Sequence, residues 1–115
     1  MNKDFALFQK EFKKWQREFG LNGWKVYFRY RIIKPKERFA ELDRDCNNYV
    51  ATASLNSEVP DYNKPFVDIK RDAKHEAIHL LLSRLVGLAE YRYASNQEIS
   101  ESEEELVNKL MGLIE

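Results

Sequence analysis

Phe5, Phe8, Phe12, Trp15 and Phe19 follow three- and four-residue steps, with charged residues filling the positions between them. That spacing predicts an amphipathic helix over residues 3 to 19, stopped by Gly20 and Gly23, with the aromatic stripe as its core face. The period then drops to two. Trp24, Val26, Phe28, Tyr30 and Ile32 alternate with Lys25, Tyr27, Arg29 and Arg31, the pattern of a half-buried strand that Pro35 ends. Residues 39 to 42 and 49 to 56 predict two more strands, joined as a hairpin by the turn-like residues 43 to 48. A polar loop carrying Pro60 and Pro65 follows, and residues 66 to 70 predict a short fourth strand. Helical periodicity returns from Asp72 to Glu90; residues 91 to 100 connect, and residues 101 to 114 predict a last helix. The order predicts an α+β fold: an N-terminal helix, a small antiparallel or mixed sheet of three or four strands, then a buried helix and a C-terminal helix. Residues 1 to 115 read as one domain, with no repeat or linker.

A chain of 115 residues, 43% hydrophobic and 13% aromatic, can bury a real core. Nineteen basic residues balance nineteen acidic ones, so there is no electrostatic footprint for nucleic acid or an anionic membrane. No apolar run approaches the ~18 residues of a membrane span. The charges spread through the first residues argue against a signal peptide. The single cysteine, Cys46, allows no internal disulfide. Together these features predict a cytoplasmic protein.

Candidate chemistry concentrates in the helix over 72 to 90. On a helical wheel, Ala73, Ala77, Ile78, Leu81, Leu82, Leu85, Leu88 and Ala89 cover a broad apolar arc. The narrow strip that remains holds His75, Glu76, His79, Ser83, Gly87 and Glu90. His75 and His79 are the only histidines of the chain. Two histidines scattered at random would stand four apart with a glutamate after the first only about 0.2% of the time, so the HExxH pattern carries weight. At i and i+4 two imidazoles can converge on one ion, and zinc takes histidine nitrogen readily. Glu76 is placed to act as general base.

A zinc site of this kind needs a third protein ligand. No third histidine exists, and no aspartate follows Asp72, so a downstream ligand must be a glutamate. Glu90 lies ~16 Å along the helix from His79, too far to share an ion. The cluster Glu103, Glu104, Glu105 remains. Ser100-x-x-Glu103 and Ser102-x-x-Glu105 each match a capping box. Glu104 belongs to neither and stands three and seven residues before Val107 and Met111, near the apolar face of the last helix, so it is the favoured ligand, with Glu103 and Glu105 still open.

His75-Glu76-x-x-His79, followed by a helix reading Glu104-x-x-Val107-Asn108, resembles the gluzincin metallopeptidases, and in size the small metallopeptidases of phages and mobile elements. The resemblance implies a minimal zincin-like fold, a Zn2+ cofactor held by His75, His79 and Glu104, and hydrolysis of a protein or peptide substrate with Glu76 as general base. It implies that Asn108 supports a metal histidine from behind, and it calls for an oxyanion donor, for which Tyr91 and Tyr93 are candidates beside Arg92 and Tyr49. By analogy, residues 49 to 56 would be the edge strand along which substrate lies. The alternative is a zinc-binding protein-interaction module, of phage or mobile-element origin, that does not cut.

Overall fold

Local signals at both ends build the first helix. In the computed structural model, which describes residues 2–90 and 95–113, α1 spans Lys3–Glu18. The Asn2 side chain caps it by accepting from the backbone N–H of Asp4 and Phe5. At its end, Gly20 adopts φ 70°, Gly20 N–H bonds to Arg17 O, and Leu21 N–H bonds to Gln16 O. This is a Schellman closure, whose left-handed position favours glycine. Phe8, Phe12 and Trp15 are buried, as the aromatic stripe predicts.

Among the described residues the sheet has three strands: β1 (Lys25–Arg31), β2 (Ala40–Asp45) and β3 (Val50–Asn56), in the order β1-β3-β2. β3 pairs parallel with β1 and antiparallel with β2, so the sheet is mixed. β3 is therefore the central strand, and the edges are β1 and β2. The expectation that residues 49 to 56 form an edge is corrected. The β2–β3 turn is held by Asp45, whose carboxylate accepts from the N–H groups of Asn47 and Asn48. The alternation expected through Ile32 also fails at its end. Ile32 is exposed and Ile33 is fully buried, because β1 stops at Arg31 and the Ile33 N–H turns inward to Asn56 Oδ1.

Residues 66 to 70 are not a fourth strand. Asp61–Phe66 is a 3-10 turn, and α2 (Ile69–Leu81) begins at once, with Asp68 accepting from Arg71 N–H as its N-cap. Pro65, with no N–H to donate, suits the turn better than a ladder. The helix expected from 72 to 90 is two pieces, α2 and α3 (Ser83–Glu90), offset at Leu82. The cause lies at the carbonyl of His79. It accepts from the Ser83 hydroxyl at 2.9 Å and from Arg44 Nη1 at 3.0 Å, and such competition bends a helix.

The last helix, α4, spans Asn96–Leu113 and starts earlier than expected. Its capping box is Ser95-x-x-Glu98, closed by Glu98 N–H to Ser95 Oγ and Ser95 N–H to Glu98 Oε1. Glu103, Glu104 and Glu105 thus stand mid-helix, and neither Ser100 nor Ser102 caps it.

α1 and α2 cover one sheet face. Their shared core includes Phe8, Phe12, Trp15, Trp24 and Leu80, and five alanines at positions 40, 51, 53, 73 and 77. Short side chains from both strand and helix let α2 lie close to the sheet, which brings its polar strip up to the β2 edge. A second cluster of Ile78, Val107 and Met111 docks α4 on α2. No helix among the described residues is long and apolar enough to cross a membrane.

Candidate metal centre

One turn separates His75 and His79 on α2, and Ile99, Glu103, Val107 and Met111 form the buried stripe of α4 facing it. Packing of Ile78 on Val107 and Met111 therefore brings the acidic stretch of α4 against the two imidazoles. Nε2 of His75 and Nε2 of His79 stand 3.2 Å apart. The Glu104 carboxylate reaches both, Oε1 at 2.5 Å from His79 Nε2 and Oε2 at 3.5 Å from His75 Nε2.

The other nitrogen of His79 is committed. Its Nδ1 lies 2.8 Å from Glu103 Oε2, and Glu103 also accepts both arms of Arg44, at 2.8 and 2.9 Å. Burial opposes ionisation of Glu103, but the hydrogen bonds from His79 and Arg44 outweigh it and bring its pKa down to about 2. An ionised Glu103 only accepts, so His79 Nδ1 carries a proton and donates to it. In a neutral His79, Nε2 is then a bare lone pair. It faces the Glu104 carboxylate and the Nε2 of His75.

A bare Nε2 on His79 facing the Glu104 carboxylate at 2.5 Å is repulsive unless a positive charge sits between them. Either a proton or a metal ion supplies it. For a metal, the donor atoms of His75, His79 and Glu104 all lie within 4.8 Å of one another. Atoms bonded at ~2.0–2.1 Å around a tetrahedral ion stand ~3.3 Å apart, close to the 3.2 Å between the two imidazole nitrogens. Two neutral imidazoles and one carboxylate are a donor set that zinc accepts, and a carboxylate behind one imidazole is the usual support of such a ligand. The chain's residues fit the group. Burial pushes the pKa of His75 down, aided by the neighbouring His79, which favours its neutral, ligating form. Burial would also lower His79, but Glu103, Glu76 and Glu104 outweigh it and hold it above the ordinary histidine range.

Glu76 shares the cleft with these groups and is only 6% exposed. Burial, with the negative charges of Glu104 and Asp72, pushes its pKa up to about 7 despite the opposing pull of His79 and Arg38. That is the range in which a carboxylate exchanges protons near neutral pH. The cleft, of about 560 Å³, runs along β2, with Arg38, Ala40 and Leu42 on one wall and Ser100 on another.

The remaining sequence expectations fare differently. Asn108 is exposed and lines a separate hollow with Trp15, Lys70 and Arg71; support of His79 comes instead from Glu103. Glu105 is exposed and paired with Lys109. Tyr49 is exposed, packs edge-on against Trp24 and lines another hollow. Tyr91, Arg92 and Tyr93 lie outside the described residues. Sequence reasoning missed the role of Arg44. A signal was present: Glu103 interrupts the apolar stripe of Ile99, Val107 and Met111, and an acid in such a stripe needs a buried cationic partner.

No protein-family model matches this chain, and no curated protein or solved structure does either.

Proposed function

We propose that the chain is a zinc-dependent metallopeptidase of minimal zincin-like build, with His75, His79 and Glu104 as ligands and Glu76 as general base. One observation carries this reading. Potential ligand atoms of His75, His79 and Glu104, from two helices, lie within 4.8 Å of one another in a cleft shared with a buried glutamate. When bound, zinc supplies a Lewis acid for a carbonyl and lowers the pKa of a coordinated water toward ~7. Everything else falls to the chain. Glu103 orients His79, burial readies Glu76 to take a proton and return it to a leaving amine, and β2 offers a backbone edge beside the cleft. An extended peptide would pair along residues 40 to 45 and lie across the centre.

Zinc content of tag-free protein and cleavage of a peptide library test the reading together. One zinc per chain is expected, with cleavage that Glu76→Gln abolishes while the metal stays. Zinc with no cleavage of any peptide would favour the non-cutting module instead. Protein that takes up no zinc under conditions sparing weak sites would refute both.

A further inference from the structure

Glu103 and Glu104 are consecutive residues, and each touches a different nitrogen of the same imidazole, at 2.8 Å on Nδ1 and 2.5 Å on Nε2 of His79. What distinguishes them is Arg44. Its side chain leaves β2 and meets both other elements of the centre. Nη1 donates to Glu103 Oε2, to the His79 carbonyl and to Ser83 Oγ, and Nη2 donates to Glu103 Oε1. Both oxygens of Glu103 are thereby occupied by a planar fork. Glu104, half exposed, has the two imidazoles as its ion-pair partners among the described residues.

We propose that Arg44 is the positioning residue of this centre: by pinning Glu103 to His79 Nδ1 it aims His79 Nε2 at the point shared with His75 and Glu104, and it keeps Glu103 from serving as a ligand. The proposal rests on the metal reading above for its second half only; the orientation and tautomer of His79 are set with or without an ion. The same guanidinium holds the His79 carbonyl from behind, so backbone and ring of one ligand are fixed by one residue of the edge strand. Lysine does not replace it. An ammonium is a point charge and cannot satisfy both Glu103 oxygens and the carbonyl in one plane.

The test uses Arg44→Lys and Arg44→Met, with circular dichroism to check that each is folded. In metal-free protein, at a pH above the observed titration of both histidines, long-range nitrogen–proton NMR reads the tautomer of each histidine. Wild-type protein should show His79 protonated on Nδ1 and bare on Nε2. In Arg44→Lys the population with the proton on Nε2 should rise. Zinc affinity, measured by competition with a chromophoric chelator, should fall by about 10- to 100-fold in Arg44→Lys. Glu104→Gln in the native background should lose zinc by more than about tenfold, because Arg44 denies Glu103 to the ion.

An unchanged His79 tautomer in Arg44→Lys, with zinc affinity within about twofold of wild type, would overturn the proposal. So would retention of near-wild-type affinity by Glu104→Gln. If wild-type protein takes no zinc, the metal reading falls, while the tautomer measurement still decides the role of Arg44. Should Arg44→Met fail to fold, the lysine variant carries the test alone.

Discussion

Asp72 stands one turn before Glu76 on α2, and its Oδ2 is buried with no hydrogen-bond partner among the described residues. Burial first, and then the nearby Asp68 charge, push its pKa up to about 7 against the pull of Arg71. The folded state thus holds this proton more tightly than the unfolded chain, where an aspartate titrates near ~3.9. The sign follows: the stabilisation is fully present below about pH 4 and is lost as the pH rises from there through 7. A shift of about three units corresponds to ~4 kcal/mol, and solvent at the partly open side of the residue reduces this to about 2 kcal/mol. Asp72→Asn does not titrate. Between pH 4.5 and 8 the metal-free wild type should lose about 2 kcal/mol relative to the variant. Urea unfolding across that range reads the difference as a midpoint shift of roughly 1–2 M. Glu76 titrates in the same window in both proteins, but Asp72 is one of the charges raising it, so the variant flattens further in the same direction. Parallel stability–pH curves for the two proteins would refute the reasoning.

At the acid end the sign reverses. Glu103, held at about 2, contributes stability that is present above its ordinary value near ~4.3 and disappears as the pH falls from about 5 to 2. Glu103→Gln should remove that limb and cost about 3 kcal/mol at pH 7, which acid titration followed by circular dichroism checks. Val107 is fully buried between α2 and α4, and Val107→Ala deletes two methyl groups there. Calorimetry of the metal-free variant should show a loss of about 2 kcal/mol, transfer and cavity together. Zinc at about 100 times its dissociation constant should raise wild-type stability by roughly 2.7 kcal/mol, and His75→Ala should abolish the increase in the same melting experiment.

Periodicity alone reached the elements whose logic is local. The aromatic stripe of α1 buries Phe8, Phe12 and Trp15, and the i, i+4 spacing of His75 and His79 puts both rings on one strip of α2. Composition along the chain also carried the α+β class. The boundaries that failed were those decided by competition. Residues 66 to 70 have a strand's composition, yet Asp68 caps a helix there, and the run from 72 to 90 breaks where Arg44 and Ser83 take the His79 carbonyl. Of the two sequence signals for Glu104, the capping boxes at Ser100 and Ser102 are not used by the fold, since Ser95 starts α4, while its spacing from Val107 and Met111 on the apolar face is. What brings Glu104 to the imidazoles is the packing of Val107 and Met111 on Ile78.

Glu103 shows the division most clearly. Its place in an apolar stripe is written in the sequence, but Arg44 lies 59 positions away, on a strand that reaches α2 only because β3 pairs between its neighbours. Spacing along the chain dictates which side chains share a face, because backbone geometry repeats. Which faces meet, and which of two adjacent carboxylates is left free, depends on the packing of distant elements that no local period encodes.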